Sequence, residues 1–369
     1  MSLKRIVIKI GTNVLQQTNG KLDYKLISEL TSQIARIRSN GHEVLLVSSG
    51  SVGAGRELFS VDESGNTLAS HQILASVGQA KLIQIYSDSF RKHKTTVAQI
   101  LLTRGDFGLR KSYLNIRNTL ENLLKYRIVP IVNENDVVAT EELDLNFGDN
   151  DLLAVYLATL IGADQLFFLT VAPGLLKEEE TAQGKQSKVV AKVEKLTEEI
   201  IQHCLPFTSA GGKGGMESKV RSAGMAMSFG IDTYIIDGKF PAGVFEIMEG
   251  RPLGTHFVAH GRKIRSYQKW LAAGALNKGT LIIDQGAEQA LLKNKKSLLA
   301  RGVARVEGQF EDKDLVEIHN LEGVKLGVGR ADCSAKELRY QIKERNLTNS
   351  KVNTRSGKPV IHRNHLFLE

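Results

Sequence analysis

Cysteine is nearly missing from this 369-residue chain, with Cys204 and Cys333 as its only two. They lie far apart and show no metal-type spacing, which excludes a disulfide scaffold and reads as idle thiols in a reducing compartment. Long apolar runs are missing too. The longest, residues 152–163, is too short to cross a bilayer, and the N-terminal MSLKRIVIKIG is too short an apolar run for a signal peptide. A soluble, cytoplasmic protein with no membrane partner is therefore expected. The Walker pattern GxxxxGK[ST] does not occur, so any kinase chemistry here is not of the P-loop kind. Gly50, Gly53 and Gly55 follow the order GxxGxG rather than GxGxxG, which argues against a dinucleotide loop. Internal repeats and low-complexity tracts are absent as well.

What is present is length and 42% hydrophobic residues, enough for a large core and two domains. The formal charge of +9 is unevenly placed. Residues 260–369 hold 21 Lys+Arg against 12 Asp+Glu, while the first 259 residues hold 28 of each sign. The whole excess lies in the C-terminal third, marking a separate domain or a polyanion surface. The first 250 residues alternate apolar strands with amphipathic helices. Residues 4–10 read as a strand with Ile6, Ile8 and Ile10 on one face. Residues 23–39 read as a helix striped by Leu26, Leu30, Ile34 and Ile37. Further strands are expected at 43–47, 95–102, 128–132, 165–170 and 231–236, and helices at 69–91, 112–126 and 216–230. That rhythm predicts an α/β fold, a parallel-rich open sheet sandwiched by helices, with ligands bound beyond the carboxyl ends of the strands. From residue 279 onward short strands alternate with glycines and short helices, predicting a small β-rich domain.

The unusual polar residues gather at those strand ends. Lys9 closes the first strand, Ser49 and Gly50 follow the second, and Asn133 and Asp136 follow the strand 128–132. Asn150 and Asp151 open the next helix. Residues 209–219, SAGGKGGMESK, resemble a phosphate-gripping loop feeding a helix, since four glycines free backbone N–H groups for an anion. Phosphoryl transfer asks for charge neutralisation and alignment. Lys9 and Lys219, arriving from different elements, could bracket the moving group, with Asp151 holding both ammoniums. A structural ion pair or solvated lysines fit the same residues taken singly. Asp136 could bind an ammonium, with Asn150 and Ser49 beside it, although turn chemistry alone also places Asn and Asp after strands. No His or Cys near this cluster suggests a nucleophile or a zinc site.

The runs IVIKIGTNVL, LLVSSGSVGAG, IVPIVNENDVVAT, GDNDLLA and GGKGGMESK, in that order, resemble the amino-acid kinase family and within it the glutamate 5-kinases. The likeness continues through GTLIIDQGAEQALL into a C-terminal module similar to a PUA domain. It implies a catalytic domain over 1–257, a linker over 258–276, a PUA-like domain over 277–355 and a tail over 356–369. It also implies transfer of the ATP γ-phosphate to the side-chain carboxylate of L-glutamate, the first step of proline synthesis. Carried over by position, Lys9 and Lys219 contact phosphates and Asp151 organises the lysines. Ser49, Asp136 and Asn150 bind glutamate, with Gly50 and Asn133 lining the pocket. Thr170, Val171 and the stretch Lys213, Gly214, Gly215, Met216, Glu217, Ser218 and Lys219 take the nucleotide. Mg²⁺, feedback by proline and a homodimer or homotetramer are further implications. Three places depart from the family pattern. Val171 and the residues after it replace an Asp and a Gly-Leu-Tyr, Lys213 stands where a small residue is usual, and residues 141–147 are slightly long. These bear on nucleotide affinity and feedback sensitivity. A reading from another class is an RNA-binding protein with a degenerate kinase domain, acting through the basic C-terminal module. Against it, residues 279–341 hold only Phe310 and Tyr340 as aromatics for base stacking.

Overall fold

Alternation along strand β1 (Arg5–Ile10) sorts its side chains onto two faces of a central sheet. Ile6, Ile8 and Ile10 join one buried cluster, and Lys9 points the other way. The computed structural model describes residues 3–61, 67–108, 110–138, 150–181, 184–202, 215–260, 278–348 and 358–368. Two compact units divide the chain. One is Met1–Asp106 with Lys111–Lys263, and the other is Phe107–Arg110 with Ile264–Glu369.

In the first unit β1 is followed by α1 (Thr12–Leu15), α2 (Tyr24–Ser39), β2 (Glu43–Ser48), α3 (Ser51–Arg56) and α4 (Thr67–Arg91). Next come β3 (Val97–Leu102), α5 (Arg104–Gly108) and α6 (Arg110–Lys125), apart from Phe107–Arg110, which group with the second unit, then β4 (Val129–Glu134), α7 (Asn150–Ile161) and β5 (Gln165–Thr170). A hairpin, β6 (Leu176–Thr181) with β7 (Gly184–Val189), precedes β8 (Lys192–Val193) and α8 (Glu198–Gln202). The unit closes with α9 (Met216–Ser228), β9 (Asp232–Asp237), α10 (Gly243–Met248) and β10 (Thr255–Phe257). The eight-stranded sheet has the order β3-β4-β2-β1-β5-β9-β10-β8. Its neighbours run parallel except β10 against β9.

Helix α2 shows why the pattern folds as expected. The Asp23 side chain accepts from the Leu26 N–H at 3.0 Å, capping the helix. Leu26, Leu30, Ile34 and Ile37 are buried against β1, β2 and α4 in a single cluster. Helix α7 is apolar nearly all round and buried along its length, as a helix packed on both sides must be. It packs on β1 and α9. The expected parallel-rich sheet with flanking helices is therefore present.

The second unit carries a sheet of order β12-β11-β13-β14-β15. Its strands are β11 (Gly279–Ile283), β12 (Val303–Gly308), β13 (Leu315–His319), β14 (Lys325–Arg330) and β15 (Leu366–Leu368). Two helices, Gln285–Leu292 and Ala335–Thr348, accompany it. Leu281, Ile283, Val316, Ile318, Leu338 and Ile361 help form its own core. Residues 366–368, which the sequence assigns to a tail, pair with β14. Most of the expected linker, residues 261–276, lies outside the described residues.

Candidate active site

Among the described residues, Lys9, Asp151 and Lys219 are the only buried Lys, Arg, Asp or Glu residues, and both lysines meet the aspartate. Lys9 Nζ lies 2.5 Å from Asp151 Oδ1, and Lys219 Nζ lies 3.0 Å from Asp151 Oδ2. β1 supplies the first lysine near its carboxyl end, α7 supplies the aspartate in its first turn, and α9 supplies the second lysine one turn in. The packing of α7 against both β1 and α9 brings them together. Two buried ammoniums thus converge on one carboxylate, a cationic pair of the kind that suits an anionic ligand.

Gly215, the residue before α9, has an extended backbone, and a Cβ there would meet nothing within 4 Å among the described residues. Its position at a helix N-terminus suits backbone contact with phosphate. A Cβ on Gly11 would stand 3.8 Å from Lys9 Nζ, where a longer side chain would crowd the ammonium.

Beside the triad is a chain of amides. Asn150 Nδ2 donates to Ser49 Oγ and to Asn133 Oδ1, both at 2.9 Å. Asn133 Oδ1 also accepts from the Glu134 N–H at 2.9 Å, and Asn133 Nδ2 donates to Gln79 Oε1 at 2.9 Å. With its NH₂ spent, Asn150 keeps a buried Oδ1 that has no hydrogen-bond partner among the described residues, an acceptor open to a donor. Asp136 accepts from Ser51 Oγ at 3.2 Å. Gly50 turns the chain between β2 and α3 with φ 107°, a left-handed conformation that favours glycine. The Ser49 N–H donates to the Ile10 carbonyl at 3.1 Å, tying this turn to the end of β1.

The structure thus gathers Lys9, Asp151 and Lys219 into one cluster and Ser49, Asn133 and Asn150 into another, with Gly50 and Asp136 at the neighbouring turns. Thr170 ends β5, which runs beside β1, and its carbonyl accepts from the Gly238 N–H at 2.7 Å. Val171 follows, 53% exposed. Met216 and Ser218 lie in the first turn of α9 with Lys219. The Glu217 carboxylate is engaged by Arg221 along the helix at 2.8 Å. Lys213 and Gly214, and the long segment 141–147, lie outside the described residues. Three residues escaped sequence reasoning. Gln79 sits on a long helix where a glutamine looks like surface, and Ser51 begins another. Gly11 had a usable signal, a glycine two residues after a strand-end lysine.

Among the described residues no group of three or more His, Cys, Asp or Glu side chains could hold a metal ion. Asp151 already has both oxygens on lysines, so it is a poor protein ligand for Mg²⁺. No helix among them is long and apolar enough to cross a membrane.

An open α/β sheet with a cationic centre at its carboxyl ends, and no P-loop, defines a class of small-molecule phosphotransferase. Residues 4–237 match the amino acid kinase family and residues 279–350 match the PUA domain. The chain belongs to the amino acid kinase family, and within it to the glutamate 5-kinases. The glutamate 5-kinase of Dehalococcoides mccartyi (strain CBDB1) is 38% identical over 99% of this chain and 98% of its own. That of Chlorobaculum tepidum is 39% identical over 99% and 97%. The solved carbamate kinase from Giardia lamblia bound to AMP-PNP shares the fold, with a TM-score of 0.51 at 18% identity over 70% of this chain and 99% of that one.

Proposed function

We propose that this protein transfers the γ-phosphoryl group of ATP to the side-chain carboxylate of L-glutamate, the first step of proline biosynthesis. The observation that carries the reading is the convergence of two buried lysines, Lys9 and Lys219, on Asp151, next to an amide pocket whose Asn150 Oδ1 has no hydrogen-bond partner among the described residues. A glutamate side-chain oxygen attacks the γ-phosphorus, the new O–P bond forms, and the bond to the bridging oxygen of ADP breaks. The attacking carboxylate is already ionised at neutral pH, so no general base is needed. Lys9 and Lys219 offset charge on the phosphoryl oxygens as it spreads in the transition state, and Asp151 keeps the ammoniums aligned. Asn150 Oδ1 and Asp136 receive the substrate ammonium, Ser49 and Asn133 orient it, and Gly50 lets the turn close over it. Thr170, Val171 and residues 213–219 hold the nucleotide. Among the described residues no protein cage fits Mg²⁺, which would arrive on the nucleotide phosphates.

Proline as feedback inhibitor, a homodimer or homotetramer, a cytoplasmic location and weak RNA contact through the PUA domain complete the proposal. The RNA-only reading is not favoured, because the lysine pair and the amide pocket are both intact. The test is hydroxamate formation from ATP and hydroxylamine with glutamate, N-acetylglutamate or aspartate. Turnover with glutamate alone is expected, because an acetylated amine brings no cation to Asp136 and Asn150, and the aspartate carboxylate is one methylene too short to reach the phosphoryl group. Equal turnover with N-acetylglutamate would refute the pocket assignment. Lys9→Ala is expected to lower turnover by at least 10²-fold, as for loss of one preorganised donor.

A further inference from the structure

At the opposite end of the sheet, where β1, β2 and β4 begin, lies a cavity of about 460 Å³. Its volume falls within the range of small-molecule sites, roughly 300–1,000 Å³. Two carboxylates line it, Glu43 engaged by the Arg5 guanidinium and Asp164 by the Arg5 main chain. Arg5 Nε meets Glu43 Oε2 at 2.6 Å, and the Arg5 main-chain N–H donates to Asp164 Oδ2 at 2.8 Å. The other cations of the wall, Lys4, Arg38, Lys125 and Arg127, have no carboxylate within 4.0 Å among the described residues.

Two of these cations are held side by side rather than apart. The Arg38 guanidinium donates to the Arg127 carbonyl, and the Arg127 guanidinium donates to the Arg38 carbonyl. Arg38 also donates to Thr95 Oγ1 at 2.7 Å. Arg127 adopts φ 59°, a left-handed backbone that glycine or asparagine would accept more readily. Burial and the neighbouring Arg127 charge lower the Arg38 pKa, as expected for like charges held together. His42 adds a further donor. Its Nδ1 accepts from the Lys4 N–H at 3.1 Å, which leaves Nε2–H free of that bond. Leu3, Val44, Leu124 and Ile128 give the same cavity an apolar wall.

We propose that this cavity is a second anion site, taking a small phosphate-bearing compound of nucleotide size. It is separate from the catalytic centre, because Arg5 and Ile10 bracket β1, a span of about 17 Å. Pyrophosphate is the probe, titrated by calorimetry into Lys219→Ala protein, in which the catalytic cluster is impaired. The comparison is the same protein carrying Lys125→Gln and Arg127→Asn, the asparagine chosen to keep the left-handed turn. The expected result is saturable binding weakened at least tenfold by the two substitutions. In an otherwise native background the same two changes leave glutamyl hydroxamate formation without effector unchanged. Lys4→Gln alone serves as a second variant and weakens binding in the same direction. Absence of binding, or affinity unaltered by all three changes, would overturn the proposal, since any residual binding at the catalytic cluster is blind to them.

Discussion

Charge counting at the three buried groups separates structure from catalysis. Removing Lys219 leaves Asp151 its buried Lys9 partner, whereas removing Asp151 takes from both ammoniums the carboxylate they share. Lys219→Met is therefore expected to melt near the native temperature yet lose at least 10²-fold in turnover. Asp151→Asn is expected to lose turnover and, in addition, about 3–5 kcal/mol of stability, the cost of breaking a buried ion cluster. Thermal melts read beside the hydroxamate assay check both, and an Asp151→Asn protein as stable as native would contradict the ion accounting. At this scale much was legible beforehand. Lysines at a strand end and inside a helix, and Asp151 at the start of a helix, stand out against apolar neighbours. Gln79 did not, because its importance comes from meeting Asn133 across 54 positions of sequence, which no local pattern encodes.

Elements announce themselves when burial imposes a period. Helices α2 and α7 and strands β1 and β5 carry stripes or apolar runs and fall where expected. The hairpin β6–β7 reads Leu-Lys-Glu-Glu-Glu-Thr and Gly-Lys-Gln-Ser-Lys-Val, with no apolar face to betray it. β8 and β10 are two and three residues long, too short for any period to register. The glycines after β2 carried a different message from the one their spacing invites. Gly55 and Gly78 lie where α3 crosses α4, and a Cβ on Gly78 would stand 1.8 Å from the Ser51 carbonyl oxygen and 2.3 Å from the Gly55 nitrogen. Both contacts are backbone and cannot step aside. Gly78→Ala is therefore expected to cost about 1–3 kcal/mol through overpacking. Because α3 begins at Ser51, next to Gly50, the same change should raise KM for glutamate more than KM for ATP. Equal shifts in the two constants would mean that α3 does not set the amino-acid pocket.

Two cores, one in each unit, define the whole molecule. All the candidate site residues within the described structure belong to the first, so a non-hydrolysable ATP analogue with glutamate should raise its unfolding midpoint by ligand linkage. Calorimetric scans should show a second transition that stays where it was. Acid offers a separate handle on that second transition. In the C-terminal unit Asp332 accepts from Lys313 Nζ at 2.8 Å and lies 3.5 Å from Arg330 and 3.9 Å from His365. Burial raises the Asp332 pKa, but the Lys313 hydrogen bond and the surrounding positive charges outweigh it and hold the pKa below the usual 3.8. For His365, burial and then Arg330 lower the pKa from 6.5. Both groups bind fewer protons folded than unfolded, so the stability these two supply is full above pH 6.5 and is lost in two steps as pH drops. The His365 step begins through 6.5 and levels off below its folded pKa. The Asp332 contribution is full above about pH 3.8 and is lost as pH falls through its lower folded value. Asp332→Asn should be less stable than native at pH 7, and the difference should shrink as pH falls below 3.8. Urea titrations of the second transition from pH 7 to pH 3 check this, and a gap between the two proteins that stays constant across that range would remove Asp332 from the account of acid stability.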